Sequence, residues 1–411
     1  MIGEKVAANR AGAAQSARGS AVSVLPVFLK LGVSAFGGPV AHLAYFREEF
    51  VVRRAWLDER AYLDLVALCQ FLPGPTSSQV GFSIGLLRAG YWGAAAAWTG
   101  FTLPSAIALV LFAFGAGAIN GVLGLGLLHG LQLAAVSVVA QAVWGMARSL
   151  CPDLQRAAIA SAAALLMLLD RSAFSQVLTI LLGGILGFWL CQKPSASPAA
   201  SLAVPVSRSV GIAALVVFML LLIGLPLLRH LGVAQGLAAF EAFYHAGALV
   251  FGGGHVVLPL LRDEFVSSGW VGEQSFLVGY GAAQAIPGPL FTFAAYLGTV
   301  MQPSPHGVAG AVLGLIGIFL PGLLIVLGTL PFWAQLRTRA WAQAALRGIN
   351  AAVVGLLAAA LYNPVWTGAV RTVGDIGVAL LGFLLLNRWR VPPLWVVMTG
   401  ALGGVALALT Q

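Results

Sequence analysis

Phe36-Gly37-Gly38-Pro39 and Pro73-Gly74-Pro75-Thr76-Ser77-Ser78-Gln79 decide the fold. Both lie inside stretches apolar enough to enter a bilayer, and neither can continue as an α-helix. Glycine costs a helix interior about 1 kcal/mol and proline about 3 kcal/mol. Proline also removes a backbone donor and clashes with the preceding turn. Lipid offers no water to the freed N–H and C=O groups. Broken backbone at membrane depth therefore has to line a cavity or pack within protein. Two broken helices in succession predict a place built to touch something polar.

The pair recurs. Phe251-Gly252-Gly253-Gly254 repeats the first break 215 positions on, and Pro287-Gly288-Pro289 repeats the second 214 positions on. The flanks follow: Phe28 and Gly32 match Phe243 and Gly247, and Arg47-Glu48-Glu49-Phe50 matches Arg262-Asp263-Glu264-Phe265. Trp56 answers Trp270, and Gln70 answers Gln284. Phe101-Thr102-Leu103-Pro104 answers Ile318-Phe319-Leu320-Pro321, and Gly130-Leu131-Gln132 answers Gly348-Ile349-Asn350. A duplicated unit of this length sets the whole architecture.

Composition places the chain in a membrane. Hydrophobic residues make up 60% and charged residues 9%, against about 25% charge in a soluble domain. The formal net charge of +9 would suggest nucleic acid in a soluble protein. Here Lys and Arg in short loops orient the chain instead, and no nucleic-acid partner is expected. Cys69, Cys151 and Cys191 have no CxxC or histidine spacing and read as small core residues. No GxxxxGK[ST], HExxH or GxSxG pattern occurs, so no enzyme, metal or cofactor is expected.

Residues 1–22 read as a disordered cytoplasmic tail without a signal-peptide core. A first transmembrane repeat over 23–191 is followed by a linker with one extra helix over 192–229, then a second repeat over 230–411. Six apolar segments, one, and six again make an all-α polytopic membrane protein. Its two homologous repeats are inverted, with the broken helices near the midplane. If every segment crosses, thirteen crossings put the N-terminus inside and the C-terminus outside. Fourteen basic residues then fall inside and seven outside, which suits the positive-inside rule. The cluster Arg47, Arg53, Arg54 and Arg60 is the misfit, and a re-entrant first segment changes the tally.

Gly37, Gly38 and Pro39, and Pro73, Gly74 and Pro75, each start a new half-helix. Such an end offers free N–H groups and a partial positive charge to an anion, as inverted-repeat transporters use near the midplane. Thr76, Ser77, Ser78 and Gln79 add polar side chains. Gly252, Gly253 and Gly254, and Pro287, Gly288 and Pro289, are the counterparts, with Gln70 and Gln284 before the second breaks. Lys30 and its partner His245 are basic residues inside apolar spans; each either faces substrate or, for Lys30, snorkels to the membrane edge. His42 and His255 follow the glycine breaks and either bind anion or proton or cap a half-helix. Asp64 is the proton-relay candidate.

The stretches FLKLGVSAFGGPVAHLAYFREEF and CQFLPGPTSSQVG, with FGGGHVVLPLLRDEF and GAAQAIPGPLFTFAAYLG, resemble the chromate ion transporter family in its long two-domain form. That resemblance implies chromate export across a bacterial inner membrane, energised by the proton motive force and conferring chromate resistance. Its motif falls on Phe36, Gly37, Gly38, Pro39, Gln70, Pro73, Gly74 and Pro75 and on their second-repeat counterparts. The second PGP is followed by Leu290-Phe291-Thr292 rather than a hydroxyl run. Sulfate, near-isosteric with chromate, is an alternative cargo, and a passive anion channel an alternative mode. A second copy of the chain, as a homodimer, and the lipid bilayer complete the expected partners.

Overall fold

The computed structural model describes residues 19–36, 38–116, 121–170, 173–192, 205–230, 235–251, 256–302, 304–336 and 339–410. Among the described residues there are helices and no strand. The first unit opens with α1 (Ala21–Ser34) and α2 (Gly38–Arg47), which runs on as a π-helical turn over Glu48–Arg53. Next come α3 (Glu59–Phe71) and α4 (Thr76–Ala116). α5 (Gly121–Leu150), α6 (Leu154–Leu169) and α7 (Ala173–Leu190) complete the unit. α8 (Arg208–His230) stands between the units. The second unit repeats the plan with α9 (Gln235–Ala248), α10 (Val257–Phe265), α11 (Glu273–Ala285) and α12 (Phe293–Val300). It ends with α13 (Gly307–Thr329), α14 (Ala340–Ala360), α15 (Val373–Asn387) and α16 (Pro393–Thr410).

The expectation that every apolar segment crosses is corrected here. At 1.5 Å per residue, α1, α3, α9, α10 and α11, of 9 to 14 residues, reach about 13–21 Å, short of a core of about 30 Å. They fold as helical hairpins instead. Phe28 on α1 stacks on Phe50 beyond α2 at 4.9 Å between ring centroids. The equivalent Phe243 and Phe265 sit 4.4 Å apart. Both hairpins of the first unit return to one face. Arg47 donates to Glu59 at 2.7 Å, and the Arg88 guanidinium lies 5.2 Å from the Trp56 ring centroid. In the second unit Arg262 donates to Glu273 at 3.1 Å, and the Gln302 N–H donates to Trp270 C=O at 3.0 Å. α4 likewise reverses at Ala89–Gly90: Gly85 and Gly93 press backbone against backbone, whereas eight residues of straight helix would separate them by about 12 Å.

Among the described residues, α4, α5, α8, α13, α14 and α16 contain the six stretches long and apolar enough to cross a membrane. The shorter α6, α7 and α15 run alongside long partners. That arrangement removes the charge misfit. Arg47, Arg53, Arg54, Arg60, Arg88, Arg148, Arg156, Arg208, Arg339, Arg347, Arg388 and Arg390 share one face, against Arg229, Arg262 and Arg371 on the other. The two faces belong to the two sets of hairpin bases, so the units are inverted.

The units are also interlaced. α5 packs on α15 and α16 of the second unit, and α14 packs on α6 and α7 of the first. Gly130 meets the backbone of Gly400, and Gly348 meets that of Gly183. Small residues permit this because, without water to expel, membrane helices associate through close packing.

Candidate functional site

The hairpin tips meet in the interior, each with a tip of the other unit. The Gly74 N–H donates to Val250 C=O at 2.6 Å, and the Gly288 N–H donates to Ala35 C=O at 2.9 Å. Both glycines need left-handed backbone, φ +117° at Gly74 and +105° at Gly288, which side chains disfavour. A methyl group at Gly74 would also fall 2.8 Å from Gln79 Nε2 and 2.9 Å from Gly322 Cα. At Gly288 it would fall 2.7 Å from Ser105 Oγ. The sequence motif thus encodes a backbone junction. Pro73 and Pro287 stop the helix, and the glycine turns its N–H across to the other unit.

His42 ties three tips together. Its Nε2 lies 3.2 Å from Ala35 C=O and its Nδ1 3.3 Å from Ser77 Oγ. A carbonyl only accepts, so Nε2 carries the proton, and in the neutral ring Nδ1 accepts from the Ser77 hydroxyl. Ala35 C=O spends both lone pairs, on His42 and on Gly288. At 1% exposure, with the Phe101 ring edge-on at 5.2 Å, His42 holds the tips in place.

Gln79 clamps the first PGP tip to the second unit. Its Nε2 donates to Pro73 C=O at 2.8 Å and to Gly322 C=O at 3.0 Å. Two carbonyl partners fix which end of the amide is nitrogen. Gln79 Oε1 is left without a partner on a side chain of 0% exposure, and so is the Ser78 hydroxyl at 2%. Unpaired buried polar atoms cost about 1–3 kcal/mol each. In the second unit the Thr292 hydroxyl is spent on Pro289 C=O at 2.7 Å, and Phe293 stands where Gln79 stands. The two halves are chemically unequal, as the sequence suggested.

The other nominated residues sit elsewhere. Lys30 is exposed on an arm of the first hairpin, and its charge is felt at Glu49. His245, its counterpart, lies 3.5 Å from Glu264, the counterpart of Glu49. In each hairpin a basic arm thus faces an acid on the returning arm. Gln70 is exposed, and Gln284 is half-buried beside Tyr280. Asp64 accepts from the Trp333 indole N–H at 3.2 Å. Gly38 has φ +74° and open space around it, while Pro39, Pro75 and Thr76 flank the tips. Gly37, Gly252, Gly253, Gly254 and His255 lie outside the described residues.

Sequence reading missed the carbonyl partners of Ala35, Val250 and Gly322, since a backbone acceptor leaves no residue-type signal. It also missed a cavity of about 510 Å³ between the units, lined by His129, Gln132, Gln274, Ser275, Tyr296 and Arg371. The repeat of Gly130-Leu131-Gln132 as Gly348-Ile349-Asn350 was the available pointer to it.

Comparison with known proteins agrees with the duplication. A family model described as "Chromate transporter" matches residues 22–188 and again 237–405. The chromate transport protein of Pseudomonas aeruginosa is 30% identical over 391 residues, covering 92% of this chain and 90% of that protein. The chromate transport protein of Cupriavidus metallidurans is 25% identical over 388 residues, covering 92% and 91%. An uncharacterized transporter of Methanocaldococcus jannaschii is 25% identical over 343 residues, covering 83% of each. No solved structure matches. With two matches that together span most of its length, the chain belongs to the chromate transporter family.

Proposed function

We propose that the chain is a secondary transporter that exports chromate across a bacterial inner membrane, driven by the proton motive force, so that it confers chromate resistance. The carrying observation is the junction of hairpin tips between inverted units, where the Ser78 hydroxyl is buried and unpaired. Family membership supports chromate as the cargo. A buried dianion needs several oriented donors. The N-terminal turn of the first arm of α4 supplies N–H groups, and the Ser78 hydroxyl adds one more. Gly74 and Gly288 hold the tips, and His42 and Gln79 position them. Asp64, on the basic face beside Trp333, takes the coupling proton. The basic face is cytoplasmic by the positive-inside rule. Lys30 and His245 each face an acid of the returning arm, Glu49 and Glu264.

The test is uptake of radiolabelled chromate into everted vesicles, with and without a protonophore and with competing sulfate. Saturable uptake that collapses with the proton gradient supports the reading. Uptake insensitive to the gradient and linear in chromate indicates a channel, and sulfate uptake at equal efficiency with no chromate preference indicates a general oxyanion carrier.

A further inference from the structure

The charges at the second hairpin do not balance. Glu241 on α9 and Glu264 on α10 bury their carboxylates, with side chains 6% and 12% exposed. One guanidinium serves both: Arg229, at the end of α8, donates to Glu241 at 2.7 Å and to Glu264 at 3.2 Å. It also lies 5.8 Å from the Trp270 ring centroid. One negative charge is left over, where an uncompensated charge is costly. The fourth member is His245, whose Nδ1 is 3.5 Å from Glu264. It follows Glu241 by one turn, on the same face of α9. A single proton on that ring brings the cluster to neutrality.

Among the described residues no other neighbour supplies the missing charge. α13, packed along α9, carries no ionisable residue. On α10 and α11, Arg262 pairs with Glu273 and Asp263, and Asp263 accepts from Gln176. The Tyr244 hydroxyl donates to Phe218 C=O at 3.0 Å. The first unit is built differently at this place. Glu49, the counterpart of Glu264, takes Arg53 at 2.9 Å and Arg54 at 2.6 Å, and Lys30 stands for His245. In the repeat Arg53 and Arg54 become Ser268 and Gly269, and Pro26 becomes Glu241. Fixed cations outnumber the acid in the first unit, so only the second calls for a proton.

We propose that His245, Glu264, Glu241 and Arg229 form a proton-binding site that takes the coupling proton from the less basic side, as Asp64 does on the basic side. The inference rests on the proton-driven reading and names where the proton enters. Histidine changes its charge between about pH 5 and 8, and at 22% side-chain exposure the His245 ring can exchange with water. The proton comes from that water and adds to the ring, so the cluster gains one positive charge. The link to the cargo is short. Val250, five residues after His245, is the carbonyl that holds the Gly74 N–H. Neutralising the cluster therefore acts on the arm that carries one half of the tip junction.

The experiment reads chromate uptake into everted vesicles whose lumen, facing the less basic side, is buffered from mildly acidic to mildly alkaline at fixed external pH. The quantity compared is the midpoint of the lumenal pH profile. Glu241→Gln removes a carboxylate that favours the proton and should move the midpoint about one pH unit toward acid, a tenfold loss of proton affinity. Arg229→Gln removes the competing cation and should move it about as far toward alkali. Damage to the fold lowers the rate in both variants and gives no reason for opposite shifts. Midpoints that stay put or move together in folded variants overturn the inference. In the full-length protein in nanodiscs, with isotope-labelled histidine rings, the signal absent from His245→Gln should titrate and follow the same two shifts. A His245 ring that keeps one charge state across the range overturns the inference even where the variants do not transport. Uptake by the unmodified protein that ignores lumenal pH removes the proton-driven reading itself.

Discussion

The backbone N–H of Gly74 reaches across the molecule to the carbonyl of Val250 at 2.6 Å, and Gly288 reaches back to Ala35 at 2.9 Å. Val250 precedes the second FGG as Ala35 precedes the first. Each unit therefore spends its PGP glycine on the other unit's FGG tip. A break that costs stability inside one unit is satisfied by its neighbour, which answers the demand that lipid places on open backbone. Movement of one unit against the other has to lengthen or exchange these two bonds.

Gly74→Ala and Gly288→Ala should each abolish transport and destabilise the fold by about 1–3 kcal/mol, the cost of a side chain held in a sparsely populated backbone region. Gly115→Ala, in open space, serves as control. Thermal unfolding in detergent and chromate uptake at matched expression check both. A Gly74→Ala protein with normal melting and uptake would show that the tip tolerates another backbone.

His42→Ala should cost about 1–3 kcal/mol, because it strips a buried partner from Ser77. Ser77→Ala should cost less, since His42 then keeps its bond to Ala35. If Ser77→Ala proves the more damaging, His42 is not the peg described above and Ser77 has a direct role.

Ser77 and Ser78 replaced together by Ala should weaken apparent chromate affinity by about 1–3 kcal/mol. Thr292→Ala should do much less, because that hydroxyl is already spent on Pro289. Concentration dependence of uptake, with protein levels matched, separates them. A larger effect at Thr292 would reverse the assignment of unequal halves.

Asp64→Asn should leave chromate exchange intact while removing its response to the proton gradient. Preloaded vesicles that exchange labelled for unlabelled chromate measure the first, and imposed pH jumps the second. Loss of both in a folded protein would place Asp64 in the structure of the path and not in coupling.

The hairpin fold makes a topological demand. In a protein cleared of Cys69, Cys151 and Cys191, single cysteines at Asp58 and Ala89 should react with an impermeant maleimide from the same side, and one at Ser268 from the opposite side. Labelling of positions 58 and 89 from opposite sides would restore full crossings for the second segment.

The duplication, the all-helical membrane class and the location of the breaks were legible in the residues alone. Gly and Pro have local backbone consequences that hold in any fold, and a 215-residue offset needs no coordinates to see. The unequal chemistry of the halves was legible too, as Ser78 and Gln79 against Thr292 and Phe293. Whether the broken segments cross or turn back was not, because an apolar run of 25 residues has the same composition either way. Only the packing of Phe28 on Phe50, and of Phe243 on Phe265, bends them into hairpins. The partners of the glycine N–H groups were hidden for a related reason. They are carbonyls of Ala35 and Val250, groups every residue carries, so tertiary contact alone could single them out.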